Sequence, residues 1–327
     1  MKTSNWDPTI SKDRATGMFA AHFVGDALGA PFEFSWGKLN EFTGKLDRQL
    51  QCRSRWQDPK YGPIGQTTDD TAMTLTLFNV LYENDGNYDV DTSILAYHEW
   101  ASGATMVGRN TRQLLKFKAL PKNVVTCYKR RWNKKFSDPE AAKNQLSNGC
   151  LMRCLPFTLL EEWETSAHDD CFLTNPSEQA WEYEKLYIHG MKELLRGKSR
   201  SEVLGELPSL TDSVEIKDLL QENDCNLRHN KGWIKNAFFC FLWALRWEGT
   251  LSEFLYQLIK KGGDTDTNAA IAGAALGVSF GMKALMSDEI FSQSWLTVTK
   301  VDVSESEIDS RQEYQGRNLE LELSKIL

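Results

Sequence analysis

Apolar positions recur at helical spacing along almost the whole chain. Met18, Ala21, Val24 and Leu28 fall on one face of a helix predicted over 14–29. Met73, Leu77, Val80 and Leu81 do the same for a helix running to about residue 83. "AFFCFLWALRW" and "LSEFLYQLIKK" read as successive helices that stop near Gly262-Gly263. Alternating strand-like runs are scarce, so the pattern predicts an all-α protein. Residues 205–226 are polar yet keep some apolar spacing, and the charged stretch after Val301 ends in a candidate short strand or helix. No linker rich in Pro, Ser or Gly divides the chain, and no fixed-period repeat is visible. One domain over residues 1–327 is the simplest expectation.

Composition narrows the class. Hydrophobic residues are 41% of 327 positions, enough for a sizeable core. A formal net charge of −7 argues against nucleic acid as the default partner. The charge is uneven, however. From Trp100 to Ser137 there are ten Lys or Arg and no acid, leaving about −17 for the rest. That run reads either as a solvated face or as a surface for an anionic substrate or partner. The seven cysteines (52, 127, 150, 154, 171, 225, 240) form no CxxC pair. Cys150 and Cys154 could share a helix face, but no second pair completes a metal site. They read as small apolar residues of a reducing compartment. The opening residues lack the apolar core of a secretory leader, and the longest apolar run, 237–245, is nine residues against the ~20 of a membrane helix. A cytoplasmic monomer without a membrane partner is expected.

Two acidic clusters carry the chemistry. "TTDDTAMTLTLF" places Asp69 and Asp70 ahead of one predicted helix, and "KGGDTDTNAAIAG" places Asp264 and Asp266 ahead of another. Each alone reads as an ordinary helix start, with Thr67 or Thr68 as the cap and Asp70 completing a capping box. Together they read differently. A cap needs one side-chain oxygen, whereas each stretch holds two carboxylates and a hydroxyl, whose like charges call for a cation. The helix after Asp266 is also rich in small residues, from Ala269 to Gly277, which suits close helix packing around a buried cluster. An all-oxygen donor set fits Mg²⁺, Mn²⁺ or Ca²⁺, and grouped His or Cys for zinc is missing there. The spacing disfavours an EF-hand (Ala269 and Ala275 stand where Gly and Glu belong), a DDxxD motif (Met73) and HExxH. None of the five histidines is assigned to catalysis.

With "FVGDALGAPFEF" (23–34), "GRNTR" (108–112) and "SNGCLMRCLPF" (147–157), these stretches follow one another in an order that resembles the ADP-ribosylglycohydrolase family. That family is typified by enzymes that reactivate dinitrogenase reductase, and the resemblance covers about 14–280. It implies a compact orthogonal multi-helix bundle with two Mg²⁺ or Mn²⁺ ions. It also implies cleavage of the bond between ADP-ribose and an acceptor, on an ADP-ribosylated protein or a small conjugate. By motif, the metal ligands would be Thr68, Asp69, Asp70, Asp264, Asp266 and Thr267, with Glu33 beside the scissile bond. Gly108, Asn110 and Thr111, with Ser147, Asn148 and Gly149, would hold ribose and pyrophosphate. Glycines permit close backbone approach to a phosphate, and a carboxylate beside an oxocarbenium-like carbon can stabilise charge or handle a proton. Asp26 reads either as a cap or as a buttress for a neighbouring turn. Three positions depart from the family pattern: Ala72 after "TDDT", Met106 where an acid is common, and Asn175 in place of a His. They leave the acceptor open and motivate an alternative, a non-catalytic ADP-ribose binder or structural protein with a relic site.

Overall fold

The computed structural model describes residues 4–34, 38–52, 60–104 and 106–301. Among them the chain forms fifteen α-helices and one small hairpin. In order come α1 (Lys12–Gly29), α2 (Asp69–Glu83), α3 (Val90–Gly103), α4 (Arg109–Leu115) and α5 (Val124–Lys135). Next are α6 (Pro139–Lys143), α7 (Glu164–Thr174), α8 (Glu178–Leu195), α9 (Arg200–Glu206) and α10 (Val214–Leu219). Last are α11 (Ile234–Arg246), α12 (Leu251–Lys261), α13 (Thr265–Phe280), α14 (Met282–Leu285) and α15 (Glu289–Lys300). Strands β1 (Gln49–Cys52) and β2 (Lys60–Ile64) pair antiparallel, with Gln51 opposite Tyr61. The all-α expectation holds. The candidate strand or helix at the C-terminal end falls outside the described residues.

The core is organised around α13. Every side chain from Thr265 to Val278 is buried, so this helix has no polar face to show to water. Its neighbour α1 runs antiparallel against it at backbone contact. A Cβ added at Gly25 would come within 2.4 Å of the Ala269 carbonyl oxygen, and one at Gly29 within 2.3 Å of the Thr265 carbonyl. The small-residue stripe visible in the sequence is thus matched by glycines on the facing helix. Its effect is positional: Asp26 and Glu33 are drawn up to the N-terminus of α13.

The amphipathic α12 leads into that N-terminus. It buries Leu251, Phe254, Leu255, Leu258 and Ile259, and Thr250 with Glu253 closes a capping box at its start. Its end is set by backbone geometry. Gly262 (φ 76°) and Gly263 (φ 94°) adopt left-handed conformations that reverse the chain, and a Cβ on Gly263 would lie 2.2 Å from the Leu227 carbonyl. Asp264 follows at once. No helix among the described residues is long and apolar enough to cross a membrane.

Candidate functional site

The N-termini of α2, α4 and α13, with the turn that follows α1, meet at a cavity of about 560 Å³. Twelve of the thirteen residues singled out from the sequence line it: Glu33, Asp69, Asp70, Gly108, Asn110, Thr111, Ser147, Asn148, Gly149, Asp264, Asp266 and Thr267. Thr68 stands behind Asp70, its hydroxyl oxygen 3.2 Å from Asp70 Oδ2. Helix N-termini carry partial positive charge, and N–H groups at all three are turned to the protein's own carboxylates, Thr68 and Thr71 to Asp26, Gly108 to Asp69 and Thr267 to Asp266.

The capping explanation of the two clusters does not hold. Thr68 and Asp264 do occupy the N-cap positions of α2 and α13, but neither makes a side-chain capping bond. The Thr68 hydroxyl is turned to Asp26 Oδ1 at 2.9 Å. Asp26 also accepts the Thr68 N–H (3.0 Å), the Thr71 N–H (3.1 Å) and the Thr71 hydroxyl (2.6 Å). A carboxylate on α1 therefore pins the first turn of α2, which makes Asp26 a buttress across two helices.

The acids converge. Carboxylate oxygens of Asp26, Asp70 and Asp266 lie within 4.8 Å of one another, as do those of Glu33, Asp264 and Asp266. Asp266 belongs to both groups and joins them. Asp69 is held apart by the Gly108 N–H, which donates to its Oδ2 at 2.8 Å. Asn148 donates to Asp264 Oδ2 at 2.8 Å. Thr267 donates to Asp70 Oδ2 at 3.4 Å. Asp70 Oδ1 is buried and has no hydrogen-bond partner.

Burial, then mutual repulsion, pushes the Glu33, Asp69, Asp70 and Asp266 carboxyls upward. Glu33 is driven well above the usual carboxylate range by burial and by Asp264, Asp69 and Asp26. Asp70 and Asp266 are raised in the same way. Asp69 rises to about 6, burial outweighing the bond from Gly108. Carboxyls crowded like this are relieved by protons or by cations. The orphaned Asp70 oxygen and the purely oxygen donor set fit a hard divalent cation.

The turns that frame the cavity are fixed from behind. Asn175 donates to the Ser147 carbonyl (2.8 Å) and hydroxyl (3.0 Å), so the position where the family carries His serves here to hold the "SNG" turn. Arg153, fully buried, donates to Gly149 O at 2.7 Å and pairs with Asp170 at 2.7 Å. Asn110 is engaged by the Thr174 carbonyl and by Lys135. Several lining residues were not named as site residues from the sequence: Phe34, Gln113, Lys135, Gln145, Met152, Lys231 and Gly232, with Arg109 entering only as part of the "GRNT" turn. For Lys135 and Arg109 a signal existed, since both belong to the basic run, but the run alone does not say which members turn inward.

Comparison with known proteins gives the family and the fold. Residues 7–310 match the ADP-ribosylglycohydrolase family. The chain is similar to the ADP-ribosyl-[dinitrogen reductase] glycohydrolase of Rhodospirillum rubrum, 27% identical over 83% of this chain and 86% of that one. It is also similar to the ADP-ribosylarginine hydrolase Tri1 of Pseudomonas putida, 22% identical over 88% of this chain and 76% of that one. Among solved structures, an ADP-ribosylglycohydrolase-related protein complex superposes with a TM-score of 0.60 at 21% identity, covering 88% of this chain and 97% of that one.

Proposed function

The chain belongs to the ADP-ribosylglycohydrolase family and is a glycohydrolase-type enzyme; from that premise we propose that it is a divalent-metal-dependent hydrolase acting on ADP-ribosylated protein. The observation that carries the metal dependence is the joint acidic cluster with its orphaned Asp70 oxygen. Asp69, Asp70, Asp264 and Asp266, with the hydroxyls of Thr68 and Thr267, are the residues that would hold Mg²⁺ or Mn²⁺. Bound there, the cations compensate the crowded charge, orient hydroxyl groups and activate water.

The chain's own residues supply the rest. Glu33 sits at the cavity edge with a carboxyl whose proton affinity is raised, which suits a group that hands a proton to a leaving group or takes one from water. The Ser147–Gly149 turn and the N-terminus of α4 present polar groups to a ligand, and Arg109, Lys135 and Lys231 offer positive charge for a diphosphate. A cavity of about 560 Å³ falls within the range of small-molecule and cofactor sites. The relatives resemble this chain at similar, distant levels, so no particular acceptor is favoured by them. Against the relic-site alternative, Asn175 is used to hold Ser147 and both acidic clusters are complete; Met106, where an acid is common, bears on the acceptor rather than on the metal set.

The test is release of free ADP-ribose from arginine-linked and serine-linked substrates with Mg²⁺ or Mn²⁺, against EDTA. Glu33→Gln is expected to lower turnover by about 100- to 10,000-fold while ADP-ribose still binds. Turnover that survives EDTA, or that Glu33→Gln leaves intact, contradicts the proposal.

A further inference from the structure

A second group of ligand-type side chains lies outside the acidic cavity. Cys150 follows the Ser147–Gly149 turn, Cys171 is on α7 and Glu184 is on α8, and all three are fully buried. Their donor atoms lie within 4.8 Å of one another. Neither carboxylate oxygen of Glu184 has a hydrogen-bond partner of good geometry, and the Cys150 and Cys171 thiols are the donors that face it. A buried carboxylate without such a partner is costly and must be neutralised.

The nearby guanidinium does not bond to Glu184. Arg153 directs Nε and Nη2 to the Asp170 carboxylate and carbonyl, each at 2.7 Å. Its Nη1 goes to Gly149 O (2.7 Å) and Thr174 Oγ1 (3.0 Å). Asp170 is completed by the hydroxyls of Tyr88 (3.1 Å) and Tyr97 (3.0 Å). That ion pair is self-contained, and Glu184 is left facing two thiols. Two sulfurs and one carboxylate make a donor set softer than the all-oxygen cavity, of the kind that selects zinc over magnesium or manganese. The Asn175 carbonyl, which accepts the Ser177 N–H at 2.7 Å, lies 3.7 Å from Cys171 Sγ.

We propose that Cys150, Cys171 and Glu184 form a structural zinc site that ties the Ser147–Gly149 turn to α7 and α8. Each thiol loses its proton to solvent as the ion binds. Because the site is closed, loading accompanies folding. The sequence concealed it because its ligands come from three separate elements with no CxxC spacing.

The full chain, expressed with added zinc and desalted with EDTA, is analysed by elemental mass spectrometry. About one zinc per chain is expected, and cobalt-loaded protein is expected to show thiolate-to-cobalt charge-transfer absorption. Cys171→Ser and the nearly isosteric Glu184→Gln lower zinc to background, whereas Asp69→Asn/Asp264→Asn retains it. Should Cys171→Ser fail to fold, Glu184→Gln and the cobalt spectrum still decide. The proposal is overturned by zinc-free protein with free thiols, by a Cys150–Cys171 disulfide, or by zinc that leaves with the aspartate variant.

Discussion

His22 lies one helical turn before Asp26 on α1, fully buried, with Nε2 3.3 Å from the Thr74 hydroxyl. Burial lowers its pKa from 6.5 to about 4, so the folded protein keeps it neutral where an unfolded chain would protonate it. The sign follows from linkage. The unfolded state binds the extra proton, so this contribution to stability is whole above about 6.5 and is lost as pH falls towards about 4. Its size is at most about 3 kcal/mol. Urea unfolding of His22→Gln, which cannot charge, is expected to show a shallower loss of stability over that window than the wild type; parallel slopes would remove the assignment. At this scale the sequence was informative where chemistry is local. Paired acids beside hydroxyls mark themselves, and Glu33 came with its motif. Asp26 stayed ambiguous because a lone acid inside an apolar helix looks the same whether it caps, buttresses or binds. Asn175 looked like a lost His, and only its bonds to Ser147 reveal what it does.

Among elements, the pairing of α1 with α13 matters most for the site, since it brings Asp26 and Glu33 to Asp264 and Asp266. The Ala/Gly run of α13 predicted a close approach, but not which helix would make it. Gly25 and Gly29 of α1 were read only as part of a motif, and their need for bare backbone appears only against the facing carbonyls. Gly29→Ala is expected to destabilise the fold by about 1–3 kcal/mol, because the partner atom is backbone and cannot step aside. It should also weaken metal binding by shifting the turn that carries Glu33. Thermal unfolding and Mn²⁺ titration check both effects, and a neutral Gly29→Ala would contradict the contact. Helix positions were legible because apolar spacing is a local property. The capping explanation of α2 and α13 failed for the converse reason: whether a threonine hydroxyl caps its own helix or turns to a carboxylate on another depends on tertiary neighbours.

For the molecule as a whole, uneven charge and site geometry fit together. Acids from α2, α13 and the turn after α1 line the cavity together with members of the basic run and Lys231. On the proposed function, a substrate with an anionic diphosphate and a hydroxyl-rich sugar would meet cations at the carboxylates and lysine or arginine at the diphosphate. The account depends on both acidic clusters binding the same ions. Anomalous diffraction from crystals soaked in Mn²⁺ measures that directly. The expected result is manganese density with oxygen ligands at about 2.0–2.2 Å drawn from Asp69 or Asp70 and from Asp264 or Asp266 together. Density confined to one cluster, or none at saturating Mn²⁺, would contradict it.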